Sequence, residues 1–503
     1  MSKSNHLYNA IFEPTTNSTK AFLINDNGET SYASFHQMVN QLAHALVVSG
    51  LRIGDRVAVQ AQKSNTQIAL YAATIKAGGV YLPLNTGYTV NELDYFIKDS
   101  EANIVVVDSE IEDVIKSIVN NKSATVLTLN ADESGSLSSL SNQQEKSFDA
   151  IARSPDDLAA ILYTSGTTGR SKGAQLSHRN LLSNTEVLKD FWKFDENDTL
   201  LHMLPIYHTH GLFVACNLLA YVGGSMIFLS KFNIDQALAW IKRANTMMGV
   251  PTFYTRLLDE DRFDKRLTDH MRLFISGSAP LLADTHKTFE QRTGKKILER
   301  YGMTETNMST SNPYNGSRIA GTVGIPLPGV ELRIADDKGN EVAKGEIGII
   351  ELRGDNVFDG YWRMPEKTAE SFREDGFFIT GDMARVDENG YITIVGRDKD
   401  LIISGGLNVY PKEVETLIDE LEDVEESAVV SAPHKDFGEA VVAIVVRKQD
   451  EVTEQIIKEY LLDKLAKFKQ PKKIVFVDSL PRNNMGKVQK SELRKNYQSL
   501  FNY

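Results

Sequence analysis

The feature that most constrains the fold of this chain is a repeated alternation of short β-branched segments with helical ones. The segment 57–59 has the composition of a strand, 67–76 has the periodicity of a helix, and 104–107 is again β-branched. After the polar, serine-rich stretch 133–146, a further apolar strand pattern occupies 158–163. Such alternation is typical of parallel strands whose faces are covered by helices. It predicts an α/β fold with a large N-terminal body of mixed, mostly parallel sheets.

The pattern changes near residue 398. Residues 381–396 have the pattern of a hairpin, with Glu388-Asn389-Gly390 at its turn. Beyond it, Pro411 suits the first position of a helix, and strand, helix and strand patterns follow. With 503 residues the chain is too long for one ordinary domain. We therefore predict a domain over residues 1–398 and a small α+β C-terminal domain over 399–503.

Composition and charge exclude several function classes. The net charge is 55 − 67 = −12, which argues against nucleic-acid binding by a basic surface. Cys216 is the only cysteine, so an intrachain disulfide is impossible and a reducing compartment is favoured. Residues 1–14 have no pattern of an export or organelle signal. We expect a cytoplasmic protein.

An uncharged stretch over 211–229 approaches the length of a membrane span. It is interrupted by Asn217 and by Gly223-Gly224, which favour a break in the helix. We interpret it as a buried helix, a turn and the strand 225–229, and expect no membrane insertion.

The segment 163–173 has the composition of a phosphate-binding loop directly after a strand. Glycines let backbone N–H groups turn toward an anion, hydroxyls add donors, and a lysine adds charge. Gly173 follows the lysine where a Walker loop has Ser or Thr, so this is not an ordinary P-loop. The candidate phosphate-binding residues are Thr164, Ser165, Gly166, Thr167, Thr168, Gly169 and Lys172.

This loop resembles that of the adenylate-forming superfamily, which includes acyl-CoA synthetases and luciferases. Further segments resemble the same family in the same order, namely 277–281 (GSAPL), 301–305 (YGMTE), 380–382 (TGD), 396–400 (GRDKD), 404–406 (SGG) and 481–487 (PRNNMGK). The resemblance implies an enzyme that joins a carboxylate to AMP, releases pyrophosphate and transfers the acyl group to a thiol. It also implies a C-terminal domain that rotates between the two steps.

The resemblance implies roles for individual residues. Lys487 corresponds to the catalytic lysine between the carboxylate and the α-phosphate, Thr304 to a hydrogen-bond donor to that phosphate, and Glu305 to the ligand of Mg²⁺. Nucleotide-binding residues would be Gly277, Ser278, Ala279, Tyr301, Asp382 and Arg397, with Tyr301 on the adenine and Asp382 on the ribose. Lys399 lies at the position of the hinge.

Two arginines beside the expected acyl pocket, Arg256 and Arg300, suggest the substrate class. A buried cation without a partner is expensive, so a pair of them suggests an anion that arrives with the substrate. The second carboxylate of a short dicarboxylic acid would fit a guanidinium fork. The alternative is that each arginine pairs with an internal acid or points outward.

Over nearly the whole chain the sequence resembles the malonyl-CoA synthetase branch of the superfamily, as at 82–86 (LPLNT), 204–211 (LPIYHTHG), 303–308 (MTETNM) and 408–411 (NVYP). This resemblance implies malonate as substrate, with some methylmalonate. Arg256 and Arg300 would bind the distal carboxylate, and His208, Thr209 and Met308 would border the acyl group. His208, like His210, could instead be a core histidine with its hydrogen bonds satisfied, and Met308 could be a packing residue.

Coenzyme A is the expected thiol, because no carrier domain follows Lys487 in the sequence. Gly405 and Gly406 would let its pantetheine arm approach the backbone, and lysines at 464, 467, 469, 472 and 473 could meet its phosphates or form a solvated face. ATP and Mg²⁺ complete the expected ligands. The alternatives are a synthetase for another short carboxylic acid, or a nucleotide-binding protein without catalysis.

Overall fold

The computed structural model describes residues 4–119, 124–164, 171–404, 407–434, 437–449, 451–462, 464–465, 467–483 and 486–501. Its strands form four sheets, two of which are large and mostly parallel. This is the predicted α/β fold with a large body and a smaller C-terminal unit.

The larger sheet has nine strands, of which the six central ones are parallel. Antiparallel strands complete both edges. In spatial order the strands are Ile325–Pro326, Asn307–Ser311, Ile297–Met303, Leu273–Ser276, Thr246–Gly249, Thr199–His202, Ser225–Phe228, Ala21–Asn25 and Gly28–Ser31.

The second sheet has seven strands with a parallel centre and two antiparallel strands at one edge. In spatial order they are Gly360–Tyr361, Lys172–Ser177, Leu158–Thr164, Val80–Pro83, Arg56–Gln60, Ile104–Val107 and Thr125–Thr128. The predicted loop 163–173 therefore joins two adjacent antiparallel strands, at the end of Leu158–Thr164.

Two smaller sheets follow. An antiparallel one consists of Glu331–Ala335, Gly348–Arg353, Phe378–Val386 and Ile392–Arg397. The C-terminal one consists of Leu407–Val409, Ile402–Ser404, Gly438–Arg447 and Val424–His434, with Lys473–Val477 parallel to Gly438–Arg447.

The α-helices cover these sheets, and many begin at a Ser, Thr, Asn or Asp whose side chain accepts a backbone N–H. They are His6–Ile11, Tyr32–Val48, Asn65–Lys76, Val90–Ser100, Glu112–Ile118, Ser136–Ser141, His178–Phe191, Asn217–Val222, Ile234–Trp240, Pro251–Leu258, Lys265–Thr268, Ala283–Thr293, Pro365–Glu370, Pro411–Asp419, Glu454–Leu462 and Lys490–Tyr497. Short 3₁₀ turns occupy Glu13–Thr15, Ser109–Ile111, Ile241–Arg243 and Asp398–Asp400, and His210–Cys216 is a π-helix.

The helix Asn65–Lys76 lies deep in the body of the protein. All of its residues except Asn65 are buried, which requires a helix that is apolar on every side, and its alanines, leucine and isoleucines meet that need. It packs chiefly against Tyr32–Val48, and both contribute to the hydrophobic cluster that joins the two large sheets. The sheets are thus held as one body.

The hydrophobic clusters divide near the predicted domain boundary. The three that cover the large body contain no residue beyond Ile394, and the two C-terminal ones contain none before Ile402. The short turn Asp398–Asp400 connects the two sets. The domain boundary near residue 398 stays a prediction, which this division of the clusters supports.

The uncharged stretch 211–229 is mostly buried and forms a π-helix, the helix Asn217–Val222, a left-handed turn at Gly223 and the strand Ser225–Phe228. This agrees with the interpretation of a buried helix, a turn and a strand. Among the helices within the described ranges, none combines the length and apolar character that a bilayer span needs.

An ion pair fastens the start of Thr199–His202 to the start of Leu273–Ser276. Arg272 donates from Nε and Nη2 to the two carboxylate oxygens of Asp198, each at 2.6 Å, and Asp198 is 2% exposed. Removing one partner of such a pair leaves a largely desolvated charge. This fork should therefore matter more to stability than exposed pairs do.

We predict that Asp198→Ala destabilises the body by about 2–3 kcal/mol, after allowing for the partial exposure of Arg272. The thermal unfolding midpoint should fall by about 2–5 °C. Asp235→Ala, which breaks an exposed pair with Arg262, is the matched control and should change it by less than about 1 °C. Equal shifts in the two variants would contradict the prediction.

Candidate active site

Several of the predicted site residues lie at one edge of the nine-stranded sheet. Four neighbouring parallel strands, Thr199–His202, Thr246–Gly249, Leu273–Ser276 and Ile297–Met303, run in the same direction. The segments that follow these strands, or their last residues, carry the candidates. In open parallel sheets this carboxyl edge is the usual place for ligands.

Arg300, in the strand Ile297–Met303, is 4% exposed. Its Nε and Nη2 make no hydrogen bond with any described residue, and no described carboxylate forms an ion pair with it. Burial lowers the pKa of its guanidinium to about 9. The structure therefore holds a cation with unused donors, which is the state expected of a group that awaits an anionic ligand.

Gly277 makes room for this guanidinium. A Cβ at Gly277 would overlap the Arg300 side chain, so the close approach needs glycine. The next residue, Ser278, has φ of 72°, a left-handed conformation that is uncommon for serine. Its Oγ lies 3.2 Å from Nδ1 of His210. Gly277, Ser278 and the partly buried Ala279 thus lie beside the acyl candidates.

Tyr301, Asp382 and Arg397 form a connected group. The Tyr301 hydroxyl donates to Oδ2 of Asp382 at 2.6 Å, and Arg397 Nε lies 2.8 Å from Oδ1 of the same carboxylate. Attraction to Asp382 is the main cause of the raised pKa of Arg397. Three residues that the resemblance assigns to the nucleotide are therefore in contact.

Glu305 is buried near Lys172. Burial raises the pKa of its carboxyl, and the Tyr361 hydroxyl, Arg397 and Lys172 oppose that rise. Tyr361 donates to Glu305 Oε1 at 3.0 Å, and its ring centroid lies 4.5 Å from the Lys172 ammonium. The sequence analysis missed Tyr361, because it is 56 residues from Glu305 along the chain.

The turn between Ile297–Met303 and Asn307–Ser311 carries Thr304, which is partly buried, and Glu305. Gly302 is needed here because a Cβ would overlap the carbonyl of Asn307. Asn307 accepts a 2.8 Å hydrogen bond at Oδ1 from the Thr209 hydroxyl. The buried Met308 follows, so the structure brings Thr209, Met308 and this turn together.

His208 lies close to two cations. Burial, then Lys487 and Arg300, lower the pKa of its imidazole to about 3. The pKa of His210 is also far below its usual range, because of burial and then Arg300. Both rings are therefore neutral at physiological pH and can act only as neutral hydrogen-bond partners.

Lys487 of the C-terminal unit reaches this site. The residue keeps an exposed part. Desolvation by the surrounding protein is the main cause that lowers the pKa of its ammonium; Arg397 and Arg300 lower this pKa further, whereas Asp382 and Glu305 raise it. Its backbone exchanges two hydrogen bonds with Asn483. These neighbours are the groups assigned to the nucleotide and the acid, so they support the catalytic role of Lys487, which stays a prediction.

Arg256 departs from the expectation. It lies on the helix Pro251–Leu258 and is exposed, so the expectation of two buried guanidinium groups is wrong for Arg256. It lies four residues after Thr252, hence on the same helix face. A Cβ at Gly486 would be 3.9 Å from the Thr252 hydroxyl, so this face is next to the Lys487 turn. A substrate contact for Arg256 stays a prediction.

Of the other predicted residues, some lie on other described elements and some fall outside the described residues. Thr164 ends its strand opposite Lys172, whereas Ser165, Gly166, Thr167, Thr168 and Gly169, and also Gly405 and Gly406, lie outside the described residues. Lys399 is exposed in the turn Asp398–Asp400. Of the C-terminal lysines, those at 464, 469 and 473 form ion pairs with Glu420, Glu413 and Glu454, respectively.

Comparison with known proteins agrees with this arrangement. The sequence profile of the family described as AMP-binding enzyme matches residues 13–362, and that of the AMP-binding enzyme C-terminal domain matches 413–487. The malonate–CoA ligase of Arabidopsis thaliana is 37% identical over 480 residues, which cover 89% of this chain and 78% of the relative.

Two solved structures of MatB from Rhodopseudomonas palustris are 55% identical in sequence, with 99% of each chain covered. The TM-score is 0.97 for the ATP-bound form and 0.86 for the apo form. The arrangement of this chain is thus more similar to the ATP-bound form. On the matching profiles and the coverage of these relatives, the chain belongs to the AMP-binding enzyme family.

Proposed function

We propose that this protein is an AMP-forming acid–thiol ligase that joins malonate to coenzyme A. The observation that carries the proposal is Arg300, a buried guanidinium with unused donors beside the residues of the acyl site. A monocarboxylic acid has no second charge to offer this group, whereas malonate has one. The malonate–CoA ligase among the relatives supports the same substrate.

The reaction has two steps. A malonate oxygen attacks the α-phosphorus of ATP, pyrophosphate leaves, and malonyl-AMP results. The sulfur of coenzyme A then attacks the acyl carbon, AMP leaves, and malonyl-CoA forms. The first step brings two anions together, so its barrier depends on the positive charge that the site supplies.

Different residues of this chain stabilise the charge, orient the nucleotide and bind the acid. Lys487 lies between the acid and the α-phosphate and neutralises charge there, since its surroundings include both Arg300 and the group of Asp382 and Arg397. Tyr301 and Asp382 orient the adenosine, and Thr304 donates to the α-phosphate. Arg300 and Arg256 bind the distal carboxylate, while His208, Thr209 and Met308 border the acyl chain.

Glu305 suits Mg²⁺. The ion commonly takes one or two protein carboxylates and completes its shell with waters and substrate phosphates. Glu305 offers one carboxylate, held by Tyr361 next to Lys172, a residue suited to phosphate. When bound, Mg²⁺ would neutralise phosphate charge. Thr164 and Lys172 flank the proposed phosphate loop.

The thiol step uses the C-terminal unit in a second position, turned about Lys399 so that Gly405 and Gly406 adjoin the pantetheine arm. Ion pairs at three of the five C-terminal lysines favour a structural role for them over contact with coenzyme A. A cytoplasmic location remains part of the proposal and rests on the single cysteine.

A panel of acids tests the substrate. Pyrophosphate release should show kcat/KM for malonate at least about 10-fold above that for acetate or a long-chain fatty acid, since one charge-assisted hydrogen bond contributes about 1.5–3 kcal/mol. Equal use of acetate would refute malonate as the preferred substrate.

Arg300→Ala should lower kcat/KM for malonate about 100-fold, and Arg256→Ala about 10-fold because an exposed charge is screened by solvent. The KM for ATP should change little in either variant. Arg266→Ala, at another exposed arginine, is the control and should have wild-type kinetics. Wild-type malonate kinetics in Arg300→Ala would remove the dicarboxylate argument.

Lys487→Ala should slow adenylation at least about 100-fold, the loss typical of one charge-stabilising donor. Thioester formation from supplied malonyl-AMP and coenzyme A should stay within about 3-fold of wild type, because Lys487 has turned away in that step. The two half-reactions are measured separately. An equal loss in both would contradict the assigned role.

A further inference from the structure

Lys63 is a cation that the proposed mechanism does not use. It directly precedes Ser64, the N-cap of the helix Asn65–Lys76. Part of the residue is exposed, but its ammonium lies among the buried residues His202, Leu204 and Phe228. Within the described parts of the chain, no carboxylate forms an ion pair with it.

All three protons of this ammonium have acceptors. Nζ lies 2.7 Å from Nδ1 of His202, 3.0 Å from the His202 carbonyl and 3.0 Å from the Leu204 carbonyl. It also lies 4.3 Å from the centroid of the Phe228 ring. Burial lowers the pKa of Lys63 to about 7. A cation in this environment is costly, and these contacts are what offset the cost.

His202 extends the network. Its pKa is far below the usual range because of burial and of Lys63, so the ring is neutral. Since Nδ1 accepts from Lys63, the hydrogen-bond network assigns the proton to Nε2, which donates to the Gly211 carbonyl at 2.8 Å. Cys216 donates to the same carbonyl at 3.1 Å.

These contacts fix both ends of the segment 203–211, which we call the acyl loop. Lys63 binds the carbonyls of His202 and Leu204 at its start, and His202 binds Gly211 at its end. Two residues within the loop also lie against each other: the backbone of Gly211 is so close to the Pro205 carbonyl that a Cβ at Gly211 would overlap it. His208 and Thr209 lie within it.

The acyl loop faces the groups that recognise the acid. Thr209 bonds to Asn307, and His208 is close enough to Arg300 and Lys487 for both to lower the pKa of its imidazole. The loop then continues as the π-helix His210–Cys216, an irregularity that is frequent at functional sites. Movement at its base would displace His208 and Thr209 and leave the Tyr301–Asp382 group in place.

We propose that Lys63 is a positioning residue for binding of the carboxylic acid: its ammonium holds the base of the acyl loop so that His208 and Thr209 stay beside Arg300. This proposal depends on the proposed function in one respect, which is the assignment of His208, Thr209 and Arg300 to the site that binds the acid. The described contacts of Lys63 include the base of the acyl loop and no member of the Tyr301–Asp382 group, so its removal should affect binding of the acid and not of the nucleotide.

The chain offers a matched control in Lys76, at the other end of the same helix. Lys76 is also buried without an ion pair to a described carboxylate, donates to Asn40 and lies 4.9 Å from the ring centroid of Tyr8. Its contacts are with neither the acyl loop nor any residue assigned to a substrate.

The experiment compares Lys63→Met with Lys76→Met in the full chain by pyrophosphate release, using the acid that the wild-type enzyme prefers in the panel. Lys63→Met should raise the KM for the acid at least about 10-fold and leave the KM for ATP within about 2-fold, whereas Lys76→Met should change neither. Gly211→Ala, which opens the loop from its other end, should reproduce the first result and decides the matter if Lys63→Met does not fold.

The proposal is overturned if Lys63→Met leaves the KM for the acid unchanged, if it raises that KM together with the KM for ATP, or if Lys76→Met raises the KM for the acid as much as Lys63→Met does. It fails equally if Lys63→Met does not fold and Gly211→Ala spares the KM for the acid. Because the acid is chosen from the panel, rejection of malonate by the wild-type enzyme would refute the proposed substrate without deciding the role of Lys63.

Discussion

The constraint around which the rest of the site is arranged is the burial of the Arg300 guanidinium, which has no carboxylate partner among the residues that the structure describes. The strand Ile297–Met303 takes the side chain out of water, and Gly277 leaves the space it occupies. A charge held in this way is unfavourable until an anion binds. Under the proposed function, binding of the second carboxylate of the acid would remove this cost.

The parallel sheet makes this arrangement possible. Its strands end at one edge, so segments far apart in the sequence meet there, from the acyl loop to Gly277 and the turn that bears Glu305. The C-terminal unit adds Lys487 from outside the sheet. A site divided in this way can bring a cation to the first reaction step and withdraw it for the second.

Lys63 and Lys76 both place an ammonium group among buried residues, but they hold different parts of the protein. Lys76 binds within the packed body, whereas Lys63 binds carbonyls at the base of a loop that carries substrate candidates. Both ammonium groups donate hydrogen bonds to neutral acceptors, but the acceptors of Lys63 lie at the base of the acyl loop, whereas that of Lys76 belongs to Asn40. The effect of a lysine at positions such as 63 and 76 therefore depends on which segment of the chain it binds, and not on its charge alone.

The sequence alone determined the fold class, the strand at 104–107, the helix that begins at Pro411 and the membership of the family, because hydrophobic periodicity and ordered motifs are local properties. Exposure and pairing are not local. Whether Arg256 is exposed, whether Arg300 lacks a partner, and that Tyr361 holds Glu305 across 56 residues were decided only by tertiary packing. The physical reason is that burial and hydrogen bonding depend on chain segments that a linear pattern does not bring together.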